Sequence, residues 1–258
     1  MSIAEGGPKG IDPSVAKSRS TLHRTDSDLL GYREVRKINE AVAAVNVEAD
    51  MPVDWQDRIK EVVAGSGKLV ELPGGKVSTS LEKANFTTVY KVVKGQDIEE
   101  KLPWLYELYQ GTFKDLVSEV AGIPMEVDKD KKFGININTL TKDMQKDGYE
   151  LHTDINPWTG LLAVTTINEG DGGELVLISP KGRPMITRPQ AGWLYIFDGR
   201  NHPHKVKLLR QEGKTDTRIT VPMDYVNVGW YPKRPPDLEA IFGNGNGGNN
   251  KSIGSLDI

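Results

Sequence analysis

The chain has 258 residues, of which 37% are hydrophobic, 27% charged and 7% aromatic, a composition that suits a folded protein and excludes a wholly disordered or fibrous one. Thirty-three Lys and Arg against 36 Asp and Glu give a formal charge of −3, so no general positive field exists to gather nucleic acid or an anionic membrane, and neither is expected as a partner. With no cysteine, disulfides, thiolate nucleophiles and Cys-bound metals are excluded, which leaves His, Asp and Glu as metal ligands.

The polar stretch 1–20 lacks the apolar segment of a secretory signal, and no apolar run reaches the roughly 18 residues of a membrane span. A cytoplasmic protein is expected, with flexible ends at 1–20 and in the Gly- and Asn-rich tail 243–258. A helix is predicted from near Asp28 through LLGYREVRKINEAVAAV. A second runs from Pro52 to Ala64, where Trp55, Ile59, Val62 and Val63 share a face and Gly65 offers a stop. GKLVEL and FTTVYKVV read as early strands able to widen a sheet. The clearest helix begins at Pro103, pre-organised for a first turn. Its stripe of Leu105, Leu108, Tyr109, Phe113, Leu116, Val117 and Val120 reads as core, and Gly122 ends it.

From residue 133 the pattern changes to short β-type runs broken by turn residues: FGININTL, GYELHTD, GLLAVTTIN, GGELVLIS, RPMITR, GWLYIFDG, HKVKLL and TRITVPMDYV. Gly172 and Gly173 permit a tight reversal before ELVLIS, and Trp193, Tyr195 and Phe197 read as sheet packing. The expected architecture is one domain over 1–258, mainly β with flanking helices (α+β). In it a helical support region with early strands, 21–132, buttresses an antiparallel sandwich or barrel at 133–226.

Three of the four histidines, His152, His202 and His204, lie within 53 residues of one another. His152 and Asp154 are two apart in a predicted strand, so their side chains point to the same face. One imidazole and one hard carboxylate suit Fe(II), Mn(II) or Zn(II), and a third ligand would leave three octahedral positions open. His204, 50 residues after Asp154, is the preferred third ligand because HKVKLL forms a credible strand. His202 competes for that place, but it precedes Pro203 after the turn-like DGRN and reads as a loop imidazole. The His202–His204 pair also resembles cupins, yet Leu208 and Leu209 stand where a cupin carries its Glu ligand.

Taken together, HTD at 152–154, GLLAVTTIN, GDGGELVL, PQAGWLYIFDGRNHPHKV and TRIT at 217–220 resemble the Fe(II)/2-oxoglutarate-dependent oxygenases, over roughly residues 133–226. The resemblance implies a double-stranded β-helix core and an iron held by His152, Asp154 and His204. It also implies that Arg218, 14 positions after His204, binds the distal carboxylate of 2-oxoglutarate. Arginine's planar fork suits that carboxylate, and Thr220, on the same strand face, adds a hydroxyl. The implied reaction consumes O2 and 2-oxoglutarate, releases succinate and CO2, and hydroxylates a substrate C–H bond. Family halogenases carry Gly or Ala where Asp154 stands, so hydroxylation is expected over halogenation, with desaturation or cyclisation possible on the same ligand set. A looser likeness to the branch acting on free amino acids suggests a small-molecule substrate of that kind, with Asn136, Asn138, Trp158 and Trp230 as candidate contacts. Two other readings stay open: a non-catalytic jelly-roll binding module, and a zinc hydrolase with Glu150 or Glu169 as base, which gives Arg218 no task.

Overall fold

The computed structural model describes residues 33–39, 41–72, 88–144 and 149–231. The segments expected to be flexible, 1–20 and 243–258, lie outside the described residues, as do the first residues of the helix predicted from Asp28.

Among the described residues, thirteen strands form two antiparallel sheets. In chain order they are β1 (Val35–Asn39), β2 (Val42–Asn46), β3 (Lys68–Leu72), β4 (Thr88–Lys94), β5 (Met125–Val127), β6 (Asn136–Thr141), β7 (Tyr149–His152), β8 (Trp158–Ala163), β9 (Leu175–Ile178), β10 (Pro184–Thr187), β11 (Trp193–Phe197), β12 (His204–Val206) and β13 (Thr217–Asn227). The larger sheet has the order β1-β2-β11-β8-β13-β6-β4-β3, with β5 pairing to β13, and the smaller has the order β10-β9-β12-β7. From β6 to β13 the chain crosses between sheets at every step except the β9–β10 hairpin, which is the winding of a double-stranded β-helix. The fold is therefore mainly β, and the early strands β3 and β4 widen the larger sheet as their composition suggests.

The strands β2, β11 and β8 of the larger sheet are buried on both faces, which is why they read as unbroken apolar runs rather than as alternation. In β11, Trp193, Tyr195 and Phe197 face the smaller sheet and pack with Leu161 of neighbouring β8 and with Leu175 and Leu177 of β9. Leu194 and Ile196 face the other way into the main core. That core is closed by helices α1 (Trp55–Ser66), α2 (Gly95–Lys101), α3 (Pro103–Leu108) and α4 (Lys114–Ala121). Ile59, Leu105, Phe113 and Leu116 are fully buried in it.

Two sequence expectations change here. The stretch expected to be helical from Asp28 supplies the antiparallel strands β1 and β2 instead. Val42, Ala43, Ala44 and Val45 are all buried because β2 pairs with β11 along its length, and a strand covered on both faces loses the periodicity that separates it from a helix. The helix from Pro103 is not continuous. A π turn at Tyr109–Phe113, with Gly111 off helical geometry (φ −111°, ψ −105°), separates α3 from α4. Gly122 closes α4 in the left-handed region at φ +70°.

Candidate active site

The two sheets enclose a cavity of about 170 Å³, and its polar lining comes from strands β6, β7, β8, β12 and β13 and the turn after β7. His152 ends β7 and pairs in register with His204 at the start of β12, which brings the two imidazoles to 4.3 Å between ring centroids. Asp154 lies beyond the end of β7, so strand pleating does not aim its side chain. Its backbone N–H instead donates to the Gly199 carbonyl at 2.9 Å, and the Thr159 hydroxyl donates to Oδ2 at 2.5 Å. Oδ1 then stands 3.6 Å from His152 Nε2 and 3.5 Å from His204 Nε2. One donor atom from each of the three residues lies within 4.8 Å of the others.

The turn permits this only because residue 199 is glycine. A Cβ there would stand 2.3 Å from Asp154 Oδ2 and 2.7 Å from Thr159 Oγ1. His204 is oriented from behind, since its Nδ1–H donates to the His202 carbonyl at 3.0 Å and leaves the Nε2 lone pair directed at the cluster. Phe197 packs against its ring at 5.0 Å. His202 itself is buried, with its backbone N–H and ring Nδ1 both at the Asp198 carbonyl, so it contributes through its backbone rather than its imidazole.

Arg218, on β13, lines the same cavity. It is 3% exposed; Nε donates to the Gly173 carbonyl at 3.0 Å and Nη1 to the Thr220 hydroxyl at 3.2 Å, while Nη2 is buried without a partner. Burial lowers its pKa to about 10, so the guanidinium remains charged at neutral pH. A buried cation with an unmet N–H group calls for an anion, and a carboxylate fits its fork. Gly172 and Gly173 hold the facing backbone at φ +78° and +74°. A Cβ on Gly172 would meet the Leu208 carbonyl oxygen at 1.9 Å.

Two imidazoles and one carboxylate suit a divalent first-row metal with open positions, and the unpaired Nη2 suits a carboxylate-bearing ligand further along the cavity. The residues present thus fit Fe(II) together with a keto-dicarboxylic acid.

Of the other expected contacts, Asn136 and Asn138 line the cavity from β6. Trp158 does not. Thr159 and Leu161 of β8 face inward, so the pleat turns Trp158 to the opposite face, where it packs against the main core. Trp230 lies in the turn after β13, outside the cavity lining, with its ring under the Arg200 guanidinium at 4.6 Å. Arg200 also donates to the Ile155 carbonyl, next to Asp154 in the chain. The sequence reading missed Thr159, Tyr90 and Asp224, all of which line the cavity. Asp224 was recoverable in principle, because alternation from Arg218 and Thr220 through Pro222 leads to it.

No protein-family model and no curated protein sequence matches this chain. Solved structures do. An oxidoreductase of the 2OG-Fe(II) oxygenase family from Burkholderia pseudomallei superposes with a TM-score of 0.54 at 14% identity, covering 76% of this chain and 89% of its own. The non-heme α-ketoglutarate-dependent epimerase SnoN from nogalamycin biosynthesis gives 0.53 at 12% identity, with 84% and 88% covered. This chain has the fold of the 2OG-Fe(II) oxygenases. HygX from Streptomyces hygroscopicus, solved with nickel, 2-oxoglutarate and hygromycin B, shares this oxygenase fold at a TM-score of 0.52 and 12% identity, covering 80% of this chain and 91% of its own.

Proposed function

We propose that this protein is an Fe(II)/2-oxoglutarate-dependent oxygenase that hydroxylates an unactivated C–H bond of a free amino acid or related small metabolite. One arrangement carries the reading: the His152, Asp154 and His204 donors and the buried, incompletely paired Arg218 line a single cavity. A zinc hydrolase or a passive jelly-roll module gives that guanidinium no partner. Solved structures of the same fold hold Fe3+ with α-ketoglutarate in SnoN, and nickel with 2-oxoglutarate in HygX.

His152 Nε2, His204 Nε2 and Asp154 Oδ1 would hold the iron, and Arg218 with Thr220 would hold the distal carboxylate of 2-oxoglutarate. Iron and 2-oxoglutarate, once bound, would supply the oxidising power to turn a substrate C–H bond into C–OH, with one atom of O2 in that hydroxyl and the other in succinate, and CO2 as the remaining product. The chain's own work is positional. Thr159 and Gly199 fix Asp154, the His202 carbonyl fixes the tautomer of His204, and the apolar walls from Leu161, Leu175 and Phe197 keep water from the centre. Asp154 supports hydroxylation over halogenation, because it fills the position a halide would need.

The test is anaerobic addition of Fe(II) and 2-oxoglutarate. The wild-type protein should develop a weak visible charge-transfer band, His204→Ala should lose it, and Arg218→Gln should need much more 2-oxoglutarate to reach it. A folded, metal-loaded protein that gives no band would refute the assignment.

A further inference from the structure

The polar side chains of the cavity divide into those already engaged and those left with unmet hydrogen-bonding capacity. His152, Asp154 and His204 converge on one point, and Arg218 is joined by Thr220 at the other end. Thr159 is saturated, since its hydroxyl donates to Asp154 Oδ2 at 2.5 Å and accepts from Asn156 Nδ2 at 2.9 Å. Tyr90 and Asp224 are each engaged by other groups of the chain. What remains is the inner face of β6, where Asn136 and Asn138 line the cavity at successive inward positions and Ile137 between them turns to the main core.

Neither carboxamide is well satisfied. Asn138 Oδ1 is shut off from solvent and accepts no hydrogen bond, and a shielded polar atom without a partner calls for one. Asn136 Nδ2 reaches the Phe133 carbonyl only at 3.5 Å, the long limit of a hydrogen bond. Turning a carboxamide about χ2 exchanges its oxygen and nitrogen, so each side chain can offer a guest either an acceptor or a donor.

Their place along the cavity is set by sheet register. Asn138 pairs with Thr220 across the β6–β13 rung, and the Ile135–Met223 bridge carries the same register onward. Asn136 therefore stands two residues nearer the Asp224–Thr159 rung, where Thr159 holds Asp154. The two carboxamides thus run beside the whole path from the keto-acid end to the metal end. Both are neutral, and the charges around them balance without a guest. A divalent metal and Arg218 together offset Asp154 and the two carboxylates of a keto-dicarboxylic acid. A charged guest group in this space would lose its water without gaining a counter-charge, whereas a neutral polar group needs only hydrogen bonds.

We propose that the part of the substrate entering this cavity is uncharged and carries a hydroxyl or a carboxamide, held by Asn136 and Asn138 beside the His152, Asp154 and His204 centre. This rests on the oxygenase reading and narrows it. A free amino acid that fits has a neutral polar side chain inside the cavity and its charged head outside, and side chains ending in ammonium or carboxylate are rejected.

Butanamide, 1,2-butanediol, butanoate and n-butylamine, matched in carbon number, serve as probes. Each is followed by saturation-transfer NMR in protein holding Mn(II) and 2-oxoglutarate, where line broadening by Mn(II) also reports contact with the centre. The two neutral probes are followed in metal-free protein as well. With Mn(II) and 2-oxoglutarate bound, butanamide or the diol should bind about ten-fold or more tightly than both charged probes. Asn138→Leu keeps the side-chain size and removes both polar ends; it should weaken that neutral probe about ten-fold while its thermal melt still reports a folded protein. Should Asn138→Leu not fold, the isosteric Asn138→Asp is the second variant, and it should bind butylamine in preference to butanamide. The inference is overturned if neither neutral probe binds, if a charged probe binds as well as the better neutral one, or if the Asn138 variants bind all probes like wild type. It is equally overturned if Asn138→Leu weakens 2-oxoglutarate alone, which would make Asn138 a keto-acid contact. The metal-free measurement separates the two proposals. A missing Fe(II) band with Asn138-dependent binding of a neutral probe would refute the oxygenase reading and spare this site, whereas a normal band with no preference for neutral probes would do the reverse.

Discussion

At the scale of single residues, the centre depends on one residue that carries no chemistry of its own. Gly199 leaves space for Asp154, and any side chain there would push on Asp154 Oδ2 and Thr159 Oγ1 at distances well inside van der Waals contact. Gly199→Ala is therefore expected to weaken binding of Mn(II), used as an oxygen-stable substitute for iron, by ten-fold or more with the secondary structure intact; titration calorimetry and circular dichroism check this. Asp171 is a different case. The Thr215 hydroxyl at 2.6 Å and the Lys214 N–H at 2.9 Å, joined by Asn168 and the Thr215 N–H, hold its pKa down to about 2. A depressed carboxylate pKa means that Asp171 contributes stability in full above its ordinary value near 3.8, and that this is lost as pH falls through about 2. The melting temperature of wild type should exceed that of Asp171→Asn at pH 5, and the gap should narrow between pH 4 and pH 2.

At the scale of elements, the Asp171, Gly172 and Gly173 turn links chain stability to the keto-acid end of the cavity. Asp171 fastens the segment that leads into β13, and two residues later the Gly173 carbonyl receives Arg218 Nε. Gly172→Ala would place a Cβ 1.9 Å from the Leu208 carbonyl oxygen at a φ of +78°, and the left-handed conformation alone costs a non-glycine residue about 1–2 kcal/mol. The variant should lose at least that much in urea unfolding, and 2-oxoglutarate binding should weaken because the carbonyl that steers Arg218 moves. The β7–β12 pairing acts in the same way on the metal end, since the His152–His204 register, not the sequence separation, sets how near the imidazoles come.

At the scale of the whole molecule, the centre ties the two sheets together. His152 and His204 belong to the smaller sheet, whereas Asp154 is held by Thr159 of the larger one, so a bound metal would bridge both. A ligand that binds only the folded state stabilises it by mass action, by about 2.7 kcal/mol at one hundred times its dissociation constant. Mn(II) should accordingly raise the unfolding temperature, EDTA should reverse the rise, and His204→Ala should show none. Among the described residues no helix is long and apolar enough to cross a membrane.

Much of this molecule was legible before any coordinates. Each of the eight β-type runs after residue 133 contains a strand, and the glycines at 172 and 173 both take positive φ, because turn chemistry and β-branched or aromatic runs are local properties. The residue types of the centre were equally plain, since a chain without cysteine has few ways to hold a metal. The β1–β2 hairpin was misread because burial on both faces erases periodicity, and Trp158 because its side depends on where β8 begins its pleat. Asp154 was paired correctly with His152 for a reason that does not hold, as the turn through Gly199 aims it rather than a strand. The sequence by itself thus determined which groups are available, through composition and short-range pattern. Only the tertiary structure decided which of them share one cavity, because register, pleat parity and the crossing of the chain between sheets are fixed by packing among residues far apart in the chain.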